Sequence, residues 1–572
     1  MIRDSRLSRI AAAILAVVVA PWAGNPSDAA APPRGAIAPA TTSGRSAQDA
    51  TPTATPIKHL VIIFNENVSF DHYFATYPNA ANPPGEPAFT AAPGTPTLDN
   101  LASSHLLTNN PNFTNPANGA DAAEPFRLDR TQANTASQNH AYTPEQQAYN
   151  GGNADLFPKF TGKGTSGGVG AFGTNGQVMG YFDGNTVTAM WHYAQHFAMS
   201  DNAYTDTYGP STPGALEVIA GQTNGLRLVA TTKKPSTLAA VSYYINDGQG
   251  GVTMINDVDP AYDVCSVPAD QAILTGSNIG DLLNDAGITW GGFMGGFNLE
   301  TKNLNGTTGC ARSTDSAVVG AKVRDYVPHH NWFQYFKSTA NPTHARPSSI
   351  RAIGYSYEHD GKTGDPANHQ YGLQDFYRAV KASNFPAVSY VKLPAYQDGH
   401  AGYSDPLDEQ VGTVELLNFL QQQPSWRNTA VIVTWDDSDG WYDHAFAKPT
   451  NPSADAQADQ LDGPGKCGAG TPLAGVQGNP VNGRCGPGTR IPFLVISPWV
   501  KPNSVTHTPI SLASVVRFIE DNWLNGKRLG GGSFDAGAGS IMGMFDFVSG
   551  SRAARIYLEP ATGNPLSTPP KM

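Results

Sequence analysis

Residues 57–67 read I-K-H-L-V-I-I-F-N-E-N, a β-branched apolar run that stops abruptly in polar side chains. A second run, T-A-V-I-V-T-W-D-D at 429–437, repeats the pattern and ends in two adjacent acids. Apolar runs that are continuous rather than alternating mark strands covered on both faces. Similar runs occupy 287–294 (G-I-T-W-G-G-F-M), 387–393 (A-V-S-Y-V-K-L) and 490–497 (R-I-P-F-L-V-I-S). Helical patterns lie between them, at Val411–Gln423 and Ser511–Leu524. Strands alternating with helices predict an α/β fold with a large, mostly parallel central sheet flanked by helices. The Gly-, Asn- and Pro-rich stretches 79–139, 146–180 and 445–489 are expected as long loop insertions over the sheet edge.

The chain has 572 residues, with 36 Lys and Arg against 47 Asp and Glu, a net charge of −11. That balance argues against a nucleic-acid binder, which needs a basic footprint. At the N-terminus, Arg3, Arg6 and Arg9 precede the apolar run 10–20, which is too short for the roughly 20 residues of a spanning helix. Pro21 ends the run and Ala29-Ala30-Ala31 offers small residues for cleavage, so residues 1–30 read as a signal peptide. Residues 31–56 are rich in Ala, Pro, Ser and Thr and are expected to form a flexible linker. The expected product is secreted or periplasmic, with no transmembrane anchor after cleavage. Four cysteines without C-x-x-C spacing fit an oxidising compartment. Of three possible pairings, proximity in sequence favours Cys265–Cys310 and Cys467–Cys485.

Chemistry concentrates where the two defining strands end, because ligands of open parallel sheets bind beyond the carboxyl ends of strands. Glu66 and Asn67 can there offer oxygens to a hard cation; the competing reading is a solvated loop with Asp71 capping a helix. Asp436 and Asp437 can reach one ion only if the strand stops, since neighbours on a continuing strand face opposite ways. The S-D-G turn at 438–440 stops it. Two carboxylates so close are costly unless a cation lies between them.

The segment Y-G-P-S-T-P-G, 208–214, places Ser211 at a helix N-cap with Pro213 in the first turn. A helix start favours phosphate, and a hydroxyl there is positioned for attack; the plainer reading is a capping serine. His140, the pair His329-His330 and His400 in D-G-H-A-G-Y-S-D supply candidate imidazoles. G-K-G-T-S-G at 162–167 matches a dinucleotide fingerprint, and 164–168 matches a nucleophile elbow. Neither follows a strand or opens a helix, the context both motifs require.

Seven segments occur together in order: N-E-N-V-S-F-D-H-Y-F (65–74), Q-N-H-A-Y-T-P-E-Q (138–146), Y-G-P-S-T-P-G (208–214), P-H-H-N (328–331), Q-D-G-H-A-G-Y-S-D-P-L-D-E-Q (397–410), W-D-D-S-D-G-W-Y-D-H (435–444) and R-I-P-F-L-V-I-S-P-W (490–499). With them the chain resembles the bacterial acid phosphatase and phospholipase C phosphoesterase family of the alkaline-phosphatase-like superfamily. The resemblance implies a phosphoesterase domain over 57–530, with 531–572 a tail packed on or near it. It implies that Glu66, Asn67, Asp436, Asp437 and Ser211 bind one divalent metal ion, and that Ser211 is the nucleophile of a phosphoserine intermediate. His140, His329, His330 and His400 would surround the phosphoryl oxygens, with His140 or His400 as the general acid. An all-oxygen donor set suits Ca²⁺ or Mg²⁺.

Phospholipase C members usually carry G-P-T-x-P-N where this chain has G-P-S-T-P-G, so the acid phosphatase branch is the expected one. The expected substrate is a small phosphate monoester. The alternative is a phospholipase C cleaving phospholipid headgroup diesters, for which the aromatic stretches 181–197 and 331–336 could supply a lipid-facing surface. A secreted binding protein without catalysis is a third reading; it would show a lost nucleophile or a broken acidic pair, and the sequence has neither.

Overall fold

The computed structural model describes residues 47–230, 243–552 and 554–571. The expected signal peptide and residues 31–46 of the expected linker lie outside the described residues. Eight strands form the central sheet: β1 His59–Asn65, β2 Ala198–Ser200, β3 Trp290–Met294, β4 Gln370–Gly372, β5 Val388–Lys392, β6 Thr429–Trp435, β7 Phe493–Ile496 and β8 Ser504–Thr506. Their spatial order is β4-β3-β5-β1-β6-β7-β2-β8. Only β7 runs against its neighbours; the other pairs are parallel. The α/β fold with a mostly parallel sheet is as expected. Each predicted apolar run supplies a strand, and β1, β6 and β7 are wholly buried.

Helices cover both faces. Helix α1, Ser211–Ala220, lies on one, where Tyr390 Oη donates to the Val218 carbonyl at 3.1 Å. Tyr390 pairs with Ile62 in register, so Asn65, three residues further on, points to the other face. There Asn65 Nδ2 donates at 2.7 Å to Glu409 of helix α2, Pro406–Gln422. Glu66 therefore returns to the α1 face. Helix α3, Ala513–Trp523, packs beside α1. Both expected disulfides, Cys265–Cys310 and Cys467–Cys485, are formed.

Two expectations change. The insertions do more than cover a sheet edge: Tyr142, Tyr149, Phe157, Val178, Leu461 and the Cys467–Cys485 bridge build a second buried cluster. The linker does not extend to residue 56, because Ala54 N–H donates to the Asn522 carbonyl at 2.9 Å and Lys58 Nζ to the Thr51 carbonyl at 2.6 Å. Apolar Ile57 follows at once and draws this stretch onto the body. The strand ends reach further than the motifs alone indicate, through an ion network that is largely buried except at Asp99. His444 Nδ1 lies 2.6 Å from Asp71 Oδ2 and its Nε2 3.1 Å from Asp99 Oδ1, while Arg490 Nε donates to Asp443 Oδ1 at 2.9 Å. The C-terminal segment lies along α2, with Asn418 Nδ2 donating to the Leu558 carbonyl at 2.8 Å. No helix among the described residues is long and apolar enough to cross a membrane.

The network makes stability depend on pH. Burial lowers the His444 pKa, but Asp71 and Asp99 outweigh it and push it up to about 10. A pKa raised above the unfolded value of roughly 6.5 stabilises fully below that pH and fades as pH rises through the folded value. The difference in thermal stability between wild type and His444→Gln is therefore expected to shrink steadily from pH 6.5 to about 10. A difference constant with pH would contradict the assignment.

Candidate active site

The site begins with a register. Strands β1 and β6 are parallel neighbours with Asn65 paired to Trp435, so Glu66-Asn67 and Asp436-Asp437 leave the sheet side by side at one level. Asn67 then enters the left-handed region, φ 55°, which asparagine tolerates better than most residues. The turn swings its amide across the strand ends. One amide atom lies 2.7 Å from Glu66 Oε2, 2.9 Å from Asp436 Oδ1, 3.2 Å from Asp437 Oδ2 and 3.3 Å from Ser211 Oγ; the other lies 2.9 Å from His400 Nε2.

His400 decides which atom faces inward. Its Nδ1 is 2.6 Å from the Ala401 carbonyl, which can only accept, so Nδ1 carries the ring proton. Burial pushes this imidazole below its ordinary range, which leaves Nε2 bare and accepting. The group opposite Nε2 is therefore the Asn67 NH₂, and Oδ1 faces the acids. The reverse orientation would pair Asn67 with the carboxylates but set its carbonyl oxygen against a bare ring nitrogen. With Oδ1 inward, four oxygens lie within 3.3 Å of it: Glu66 Oε2, Asp436 Oδ1, Asp437 Oδ2 and Ser211 Oγ.

Charge points the same way. Glu66, Asp436 and Asp437 are fully buried, and Asp436 Oδ2 has no hydrogen-bond partner. Burial, reinforced for Asp436 by Glu66 and for Asp437 by Glu145 and Glu66, pushes both aspartates well above the usual carboxylate range. Glu66 stays below it: burial opposes ionisation, but His330 and buried Lys392 win. Lys392 Nζ pairs directly with Glu66 Oε1. The two raised aspartates carry their charges at low cost only with a cation between them. The donor set fits a hard ion taking oxygen ligands.

Ser211 arrives from α1. It is the first helical residue and not the cap: the N-cap is Pro210, extended at ψ −168°, so the helix starts one residue earlier than the serine-cap pattern implies. The hydroxyl is thus free of capping and faces Asn67 Oδ1 at 3.3 Å. Asp257 caps this end instead, accepting from Thr212 N–H at 2.9 Å. Gly214 lets the helix come close, since a Cβ there would meet the Asp436 carbonyl oxygen at 2.1 Å. In Gly214→Ala the better helix propensity, about 1 kcal/mol, is expected to lose to overpacking of about 1–3 kcal/mol. The displaced serine should lower kcat/KM by about 100-fold. A variant as stable and as active as wild type would show that the close approach has no role.

The four predicted histidines gather around Ser211 and Asn67. Ring centroids step from His329 to His330 at 4.5 Å, to His400 at 6.5 Å and to His140 at 5.7 Å. They divide into two electrostatic classes. His140 Nδ1 lies 3.0 Å from Asp439, and His329 Nδ1 lies 3.4 Å from Asp259. Burial disfavours both cations, but Asp437 and Asp439 raise His140 well above its ordinary range and Asp257 and Asp259 raise His329. His330 and His400 are lowered, chiefly by burial. Two rings thus hold a proton more firmly than an ordinary imidazole, and two less firmly. All nine predicted residues converge.

Over this same span, a sequence profile of the phosphoesterase family matches residues 57–524. The chain belongs to the phosphoesterase family. It is similar to the non-hemolytic phospholipase C of Pseudomonas aeruginosa, at 24% identity over 82% of this chain and 54% of that one. It is also similar to phospholipase C A of Mycobacterium tuberculosis, at 23% identity over 78% of this chain and 68% of that one. The match thus spans about half the length of the first relative. A solved structure of murine ectonucleotide pyrophosphatase/phosphodiesterase 5 aligns at 10% identity over 60% of this chain and 90% of that one, with a TM-score of 0.26.

Other groups in this site escaped the sequence reading. Lys392 sits inside an apolar strand pattern whose period gives no sign that its ammonium meets Glu66. Glu145 belongs to a quoted motif but was given no role. Its Oε2 accepts from Gly209 N–H at 2.9 Å and its Oε1 from Ser438 Oγ at 2.8 Å, tying the Ser211 loop to the acidic loop. Burial pushes the Glu145 carboxyl up to about 8. Asp439, two residues past the acidic pair, orients His140; the D-D-S-D spacing was the available signal.

Proposed function

We propose that the chain is a secreted, metal-dependent phosphomonoesterase of the acid phosphatase type, acting through a phosphoserine at Ser211. The observation that carries this is the Ser211 hydroxyl beside four other oxygens, with two imidazoles at hand whose protons neighbouring aspartates favour. Glu66, Asn67, Asp436 and Asp437 would hold Ca²⁺ or Mg²⁺ with Ser211. Such an ion, when bound, polarises the phosphoryl group and favours loss of the serine proton to solvent.

The chain's own residues supply the remaining steps. His140 and His329 compensate the phosphoryl charge. Ser211 Oγ bonds to phosphorus as the ester oxygen leaves, and that oxygen takes the His140 proton. His140, now neutral, accepts a proton from the water that hydrolyses the phosphoserine, and Oγ is released. Of the two acids open from sequence, His140 is favoured because Asp437 and Asp439 raise it above its ordinary range, whereas burial lowers His400. The signal-like N-terminus and two disulfides support secretion.

The named relatives favour a second reading, a phospholipase C. Against it stands the placement of the aromatic segments: Trp191, Tyr193, Phe197, Trp332, Phe333 and Tyr335 are buried in the core and offer lipid no surface. The test compares phenyl phosphate with a choline phosphodiester. Faster turnover of the monoester is expected; a preference for the diester would establish the phospholipase reading.

A further inference from the structure

The glycine-rich loop 162–168, which lacks the setting of a nucleotide-binding loop, has a different place in this molecule. With the segment 134–137 and the turn 400–403 it lines a pocket of about 500 Å³ that reaches the site at His400. The lining is unlike its surroundings. In a chain of net charge −11, it holds no carboxylate and no aliphatic side chain larger than alanine. The nearby acids are committed elsewhere: Asp439 pairs with His140 and accepts from Ser137 Oγ at 3.0 Å, and Asp398 accepts from Tyr403 Oη at 3.1 Å. Lys163 is exposed, and neither its ammonium nor the Ser166 hydroxyl has a partner among the described residues.

We propose that this pocket is a subsite for an anionic substituent on the substrate, a carboxylate or a second phosphate, recognised by Lys163 beside the reacting phosphoryl group. The lining gives an acyl chain no apolar wall, and Lys163 opposes a cationic headgroup. The proposal rests on the phosphomonoesterase reading and sharpens it to substrates that carry a second negative charge.

The test uses two probes that cannot be hydrolysed, phenylphosphonate and 4-carboxyphenylphosphonate, titrated calorimetrically into wild type, Lys163→Gln and Lys163→Glu. Wild type should bind the carboxylated probe more tightly. The ratio of the two dissociation constants should shift about tenfold in Lys163→Glu, as a screened attraction becomes a repulsion, with Lys163→Gln between. A ratio equal in all three proteins, or no binding of either probe to wild type, overturns the subsite. Because neither probe turns over, this result is separate from the parent reading, which fails if wild type does not hydrolyse phenyl phosphate.

Discussion

Replacing Ser211 by alanine is expected to lower kcat on a phosphate monoester by at least about 10⁴-fold while leaving the fold intact. The first half follows from removing the attacking atom, since loss of a covalent nucleophile commonly costs several orders of magnitude. The second half follows from the start of α1. Pro210 is the cap and Asp257 satisfies the Thr212 N–H, so the serine hydroxyl supports no helix hydrogen bond. Ser211 is buried, yet losing one hydroxyl whose hydrogen bond to Asn67 Oδ1 is long, at 3.3 Å, should cost about 1 kcal/mol or less. The measurement pairs steady-state kinetics with thermal unfolding. An unfolded variant would contradict the structural half, and a variant with wild-type rates would contradict the nucleophile.

Asp437→Asn should nearly abolish divalent-ion binding and lower turnover by about 10³-fold, yet leave the metal-free protein no less stable than wild type. This sign is opposite to the usual cost of altering a buried charge. Without an ion, Asp436 and Asp437 are pressed against each other and Glu66 with Lys392 as the single ammonium in direct contact. Removing one charge relieves that repulsion, and an amide keeps the shape. Wild type should therefore lose thermal stability on chelation, because a ligand bound only by the native state stabilises it by mass action. Asp437→Asn should melt at the same temperature with or without chelator. A variant that still responds to chelator, or one much less stable than stripped wild type, would place the ion elsewhere.

The parts legible in the sequence were those encoded locally. A buried strand declares itself by an unbroken apolar run, and β1, β3, β5, β6 and β7 were all read that way. The acids at the ends of β1 and β6 followed because a chain leaving a sheet must expose its next residues to the strand-end crevice. Two kinds of feature were illegible. Strands β2, β4 and β8 have three residues each, and Q-Y-G or S-V-T carries no periodicity. Contacts made by register were hidden as well: nothing in A-V-S-Y-V-K-L says that Lys392 meets Glu66 from the next strand. The N-cap was misplaced by one residue because proline and serine can each begin a helix, and only backbone geometry separates them. The aromatic stretches 181–197 and 331–336 could have faced lipid or core, and packing put their large rings inside.

The central claim is that oxygens from two strand ends and one helix start converge on a divalent cation beside the Ser211 hydroxyl. The most direct measurement titrates chelator-stripped protein with Ca²⁺ or Mg²⁺ while following binding and phenyl phosphate turnover together. About one ion per chain should bind, with turnover rising in proportion to occupancy. Full turnover by protein stripped of divalent ions, or binding that leaves turnover unchanged, would contradict it.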